Sequence, residues 1–266
     1  LKIALAQINT DDNVEQNLEK VAGFVERSSI SGARLVVFPE ATMTALGTNL
    51  VSACKNYGSS WRASVASLAK QFGITIVIGE FEEAADGRVR NLAGIYFPDG
   101  TRSEYAKIHL FDAFGNKESD EVEPGTTPTV VEVDGVKVGV AICYDIRFPK
   151  LFAELSRSGA EVIVAPTSWG AGPGKIEQWE TLARSRALDS NSFVVALGQA
   201  DPAVTGVKAA ASSPTGIGHS LVSDPFGHAV IELGKEESLE IVELDLELVQ
   251  RAQQTIPILE NARLGY

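Results

Sequence analysis

Cysteine is almost missing from this chain: Cys54 and Cys143 are the only two in 266 residues. Two thiols so far apart make no disulfide framework, so the fold must rest on its core. No window reaches the roughly 18 consecutive apolar residues of a membrane span. The first residues pattern as a strand rather than as a signal peptide. Positive charge is also scarce, with 23 Lys and Arg against 35 Asp and Glu and a formal net charge of −12. Nucleic acid rewards the opposite, a clustered basic surface. Cys54, His109, His219 and His228 fall at no metal-ligand spacing, so neither metal nor cofactor is expected. No repeat of 20–50 residues, low-complexity tract or Pro- or Ser/Gly-rich linker divides the chain. These absences predict a protein of the reducing cytoplasm with no membrane or nucleic-acid partner, acting on a small molecule.

What remains is a hydrophobic fraction of 44%, enough for a full core. Short apolar runs alternate with helical patterns, which predicts one α/β domain over residues 1–266. Strands are expected at residues 2–8, 35–38, 74–78, 161–166, 193–199 and 239–244. Hairpins are expected across Pro98-Asp99-Gly100, Asp134-Gly135 and Asp224-Pro225-Phe226-Gly227. Val14, Leu18, Val21 and Val25 recur at helical spacing behind Asp11 and Asp12, the candidate N-caps. Trp61, Val65, Leu68 and Phe72 mark a second helix. Residues 148–158, with Pro149 in the first turn, and 176–190 mark two more. The small-residue stretch 209–218 is expected to be a mobile loop. A C-terminal tail from about residue 246 holds a short helix and then an irregular end from Pro257.

Three apolar runs end in reactive residues. Val138–Ile142 leads into Cys143, Arg34–Pro39 delivers Glu40, and Tyr105–Leu110 carries Lys107. Strand ends of this kind are where α/β proteins collect their sites. Alternation places Tyr105, Lys107 and His109 on one face and Ala106, Ile108 and Leu110 on the other, so the apolar set should enter the core. The same rule puts Gly139 and Ala141 on the face of Cys143, leaving room above the sulfur. A free thiol is only a few per cent ionised at neutral pH. A carboxylate such as Glu40 can take its proton as it attacks. An ammonium such as Lys107, with a backbone N–H just after the cysteine, can hold the resulting oxyanion. Taken singly, Cys143 reads equally well as a packed thiol, Lys107 as a surface lysine and Glu40 as a helix-leading acid. Their concurrence at strand ends points to acyl transfer through a thioester. His109 shares the face of Lys107 and suits a supporting place better than that of the base.

With these residues in view, the chain resembles the nitrilase superfamily of carbon–nitrogen hydrolases. The likeness rests on residues 3–7, Phe38-Pro39-Glu40-Ala41, residues 105–112 and Cys143-Tyr144-Asp145-Ile146-Arg147-Phe148-Pro149. It continues through Trp179 with Arg184, Arg186, Ala187 and Asn191, and Ser223-Asp224-Pro225-Phe226-Gly227. Within the superfamily it is most similar to the Nit-type amidases, which include ω-amidase and deaminated-glutathione amidase. The resemblance implies a four-layer α-β-β-α sandwich, homodimeric or larger through its outer helices and tail. It implies a Glu40–Lys107–Cys143 triad, the Tyr144 amide in the oxyanion hole, and Glu118 as an additional glutamate. The implied reaction converts a small amide and water into an acid and ammonia; carbamoyl and nitrile substrates belong to the same superfamily. Thr167, Ser168 and Trp169 are expected to line the pocket. One segment departs from the family pattern, Gly172-Pro173-Gly174-Lys175-Ile176-Glu177-Gln178-Trp179, where Gln178 replaces a histidine.

Overall fold

The computed structural model describes residues 1–208 and 213–263. Among the described residues, twelve strands form two six-stranded sheets. The first sheet holds β1 (Lys2–Gln7), β2 (Leu35–Val37), β3 (Thr75–Glu83), β4 (Val89–Tyr96), β5 (Arg102–Ala106) and β12 (Ser238–Glu243), in the order β12-β1-β2-β3-β4-β5. The second holds β6 (Thr129–Val133), β7 (Val136–Val140), β8 (Val162–Thr167), β9 (Phe193–Gly198), β10 (Leu221–Ser223) and β11 (Ala229–Glu232), in the order β11-β10-β9-β8-β7-β6. Each sheet has three adjacent parallel strands at its centre, β1-β2-β3 in one and β7-β8-β9 in the other, with antiparallel neighbours outside.

The helices are α1 (Val14–Ile30), α2 (Leu50–Phe72), α3 (Pro149–Arg157), α4 (Lys175–Ser190), α5 (Pro202–Thr205), α6 (Glu247–Thr255) and α7 (Ile258–Asn261). Val21 and Val25 of α1 and Trp61 and Val65 of α2 pack with Ala4, Val36, Ile76 and Ile78 of the first sheet. Ile3, Leu5, Val37 and Val77 of the same strands join Val138, Val140 and Val164 of the second sheet in one buried cluster, which extends to Phe152 of α3 and Trp179 of α4. Alternate strand residues thus serve two apolar layers, which is why the central strands read as unbroken hydrophobic runs. The result is the α-β-β-α sandwich. No described helix is long and apolar enough to cross a membrane.

Several boundaries differ from the sequence reading. Asn13, not Asp11 or Asp12, caps α1 by accepting from the Gln16 N–H; Asp11 instead accepts from the Asn13 N–H. Helix α2 begins at Leu50 behind an Asn49 cap, well before the apolar spacing becomes regular. The end beyond Pro257 contains the short helix α7. Positions 209–212 of the predicted mobile loop, and 264–266 of the tail, lie outside the described residues.

Of two expectations drawn from strand alternation, one holds in part and one is overturned. Tyr105, Lys107 and His109 do meet polar partners, Asp145, Glu40 and Glu118. The apolar set is only partly buried, with Ile108 against the main apolar cluster and Leu110 against a smaller one, whereas Tyr105 and Lys107 are buried. Gly139 does not leave room above the sulfur. A methyl group there would come within 3.1 Å of Ala160 and 3.2 Å of Leu155, so its missing side chain makes room for those residues. Alternation stops at the end of β7, and Cys143 itself takes φ +48°.

Candidate active site

Glu40 lies three residues past the end of β2, on a turn made tight by Pro39 and by Ala41 at φ +58°. Gly79 of β3 passes directly beneath. A methyl group on it would sit 2.4 Å from the Pro39 carbonyl and 2.6 Å from the Glu40 Cα. The Glu40 side chain is fully buried, and buried carboxylates need partners. Its Oε1 accepts from Lys107 Nζ at 2.9 Å and from Asn91 Nδ2 at 2.8 Å; its Oε2 accepts from the Ser168 N–H at 2.8 Å.

Lys107 follows β5. Its backbone N–H donates to the Asn91 carbonyl, and its own carbonyl accepts from Gly125. Its side chain is 2% exposed, and its ammonium donates to Glu40 and to both oxygens of Glu118, at 3.0 and 2.9 Å. Burial alone would push this amine down. The neighbouring Glu118 and Glu40 carboxylates and the Cys143 sulfur outweigh that, and the group is held well above the usual lysine range. Lys107 is therefore an ammonium at every physiological pH. Glu118 arrives on a short 3-10 turn, Glu118–Asp120, and its Oε2 also accepts from the Phe111 N–H at 2.6 Å.

Cys143 opens a second 3-10 turn, Cys143–Arg147, just past β7. A left-handed backbone at a residue with a side chain costs on the order of 1–3 kcal/mol and turns that side chain out of the strand's alternation. Here it brings the sulfur to Ser168. The thiol donates to the Ser168 carbonyl at 3.6 Å, while the same residue's N–H donates to Glu40. Carboxylate and thiol thus meet on one residue, Ser168. Burial and the Glu40 charge push the Cys143 thiol well up, with Lys107 opposing. The resting group is therefore a thiol beside a base.

Asp145 ties the turn to the lysine segment. It is fully buried and accepts from the Ile142 N–H, the Tyr105 hydroxyl, the His109 N–H and His109 Nδ1. The His109 ring stacks on Phe148 with centroids 3.7 Å apart. His109 is thus a support for the turn rather than the base beside the thiol.

These groups open into a cavity of about 570 Å³ whose walls include Glu40, Lys107, Glu118, Cys143, Tyr144, Ser168 and Trp169. Thr167, expected here, is not among the lining residues. It is fully buried at the end of β8, its hydroxyl donating to the Ala165 carbonyl. Trp169 is both a wall and a core residue: it is buried, packs against Trp179 and donates from its indole to the Lys175 carbonyl. The described part of the predicted mobile loop is bonded to this wall, since Ser168 donates to the Pro214 carbonyl and Gly216 to that of Trp169. At the cavity's other side, Arg147 lies 5.0 Å from the Trp169 ring and donates to Gln178, while the Lys175 ammonium sits 3.9 Å over the Phe114 ring. Burial and the Arg147 charge hold Lys175 below the usual lysine range.

The sequence reading missed Asn91 and Asp145. A fully buried Asn inside β4 goes against strand preference, and that mismatch was the available cue. Asp145 stands three residues after Ile142, the spacing of an acid that caps the start of a helical turn.

A thiol, a carboxylate and an ammonium are gathered where strands of the two sheets end. Residues 2–254 match the sequence profile of the carbon–nitrogen hydrolase family, and the chain belongs to that family, within the nitrilase superfamily. It is a hydrolase acting on C–N bonds. A hydrolase of Mycobacterium tuberculosis is 47% identical over 266 residues, covering 98% of this chain and 95% of the relative. Omega-amidase NIT2 of Danio rerio is 32% identical over 270 residues, covering 98% and 94%. Among solved structures, Saccharomyces cerevisiae Nit3, of branch 10 of the nitrilase superfamily, superposes with a TM-score of 0.84 at 30% identity, covering 97% of this chain and 94% of that one.

Proposed function

We propose that this chain is a thiol-dependent amidase that cleaves a small linear amide, preferably one carrying a carboxylate, to an acid and ammonia. The observation that carries the reading is the meeting of Glu40 and Cys143 on Ser168, with Lys107 bonded to the same carboxylate. As the sulfur attacks the amide carbon, Glu40 takes the thiol proton. That transfer neutralises the carboxylate. Lys107, until then committed to Glu40 and Glu118, can turn a proton toward the new oxyanion, joined by the Tyr144 N–H at the open start of the turn. Collapse of the tetrahedral intermediate breaks the C–N bond, and the departing nitrogen takes the proton from Glu40. Water then attacks the thioester, giving its proton to Glu40, and the acid leaves as the thiol is restored.

The preference for an anionic substrate rests on Arg147 and Lys175. Both line the cavity, and among the described residues no carboxylate lies within ion-pair distance of either. Two cations brought near one another without a counter-charge favour an anion between them. An ω-amidase is among the relatives, which agrees with this class.

The test is ammonia release from a panel of amides, ureido compounds and nitriles, with and without a terminal carboxylate. The reading predicts turnover of amides, fastest for the carboxylate-bearing ones. Turnover confined to nitriles or ureido compounds would contradict it, and inertness toward the whole panel would favour a non-catalytic scaffold.

A further inference from the structure

Asn91 does not line the cavity, yet it touches both carboxylates of the site. One amide nitrogen donates to Glu40 Oε1 at 2.8 Å and to Glu118 Oε1 at 3.1 Å. The assignment of nitrogen and oxygen follows from the partners, because two carboxylate oxygens can only be met by the NH₂ end. The other end, Oδ1, is buried with no hydrogen-bond partner among the described residues. An unpaired buried acceptor costs about 1–3 kcal/mol, so stability alone does not account for an asparagine here. Its backbone serves the same group again, since the Asn91 carbonyl accepts the Lys107 N–H.

The charges explain the need. Glu40 faces the Lys107 ammonium from the end of β5, Glu118 from the 3-10 turn and the Cys143 thiol from the end of β7. Two carboxylates around one ammonium leave an excess negative charge in a buried place, and like charges so arranged repel one another. A neutral donor shared by both acids lowers this repulsion without adding charge, and it fixes Oε1 so that Oε2 is left to the Ser168 N–H.

We infer that Asn91 is a positioning residue for the reaction: through one shared NH₂ group it keeps Glu40 and Glu118 together on Lys107 and holds Glu40 ready as the base. This rests on the reading of Glu40 as the base given above. The experiment compares Asn91→Leu and Asn91→Ala with the natural protein by thermal unfolding, kcat and the acid limb of the kcat/KM profile. Asn91→Ala removes the donors without adding charge or bulk, so it carries the test if Asn91→Leu fails to fold. The expected result is a kcat lower by about 10- to 100-fold, with the acid limb displaced upward by about one pH unit. A folded variant with unaltered kcat, or with a loss of activity but an unmoved limb, overturns the inference. A natural enzyme whose acid limb survives Glu40→Gln would instead overturn the assignment of the base, so the two failures are distinguishable.

Discussion

At the scale of single residues, the site is a balance of buried charge. Lys107 is held by two carboxylates, and its charge is sustained against burial by both. Replacing it with alanine removes an oxyanion donor and leaves two buried acids without a counter-charge; kcat/KM should fall by about 10²–10³ or more, measured on the best amide of the panel. An unaltered rate would make the lysine peripheral. Cys143→Ala should abolish turnover while the melting curve stays close to that of the natural chain, because the substitution keeps a small side chain at the end of an already packed strand. The two thiols should also differ toward iodoacetamide. Cys54 is buried on the inner face of α2 with its thiol pushed up to about 12, first by burial and then by Glu83, whereas Cys143 opens into the cavity beside the Glu40 carboxylate. The raised Cys143 thiol means that thiolate appears only above the usual thiol range, so labelling should keep climbing beyond about pH 9. Peptide mapping should find the label on Cys143 and not on Cys54.

At the scale of elements, the carboxyl ends of parallel strands supply three of the groups that the proposed chemistry uses. Glu40 follows β2, Cys143 follows β7 and Ser168 follows β8, each at the point where its strand leaves the sheet. This much was legible in the sequence, because an apolar run that ends on a reactive residue is a local signal. What the sequence hid was what crosses between elements. Period-two alternation fails at Cys143, where a left-handed residue redirects the side chain, and along 105–110 it sorts the two faces but not their depth, since Tyr105 and Lys107 are the buried pair. Thr167 was expected in the pocket as a residue just past its strand, but β8 runs through it and a strand end points successive residues in opposite directions. Asn91 and Asp145 were missed because their roles depend on partners tens of residues away. Gly79 belongs to the same class. Nothing in its local sequence marks it, yet the Glu40 turn rests on its bare Cα. Gly79→Ala should cost about 1–3 kcal/mol of stability through overpacking and lower kcat by at least about tenfold through displacement of Glu40. Denaturant unfolding beside steady-state kinetics checks both, and a variant normal in each would show that the turn shifts freely.

At the scale of the molecule, two sheets of the same layout bring three distant chain segments to one cavity, and the family motifs around Glu40, Lys107 and Cys143 made that architecture readable before any contact was known. The resemblance also implied self-association through the outer helices and tail. We expect a homodimer, so sedimentation equilibrium should give twice the 28.3 kDa of one chain, and removal of the residues from 246 onward should yield monomers. A full-length monomer at micromolar concentration would remove that expectation while leaving the chemistry untouched. The chemistry itself is most directly tested by acid-quenching the enzyme during its first turnovers of a p-nitrophenyl ester and measuring the mass of the Cys143 peptide. The account predicts a peptide heavier by one acyl group, released by hydroxylamine. Full turnover with that peptide unmodified, or with the acyl group on another residue, would contradict it.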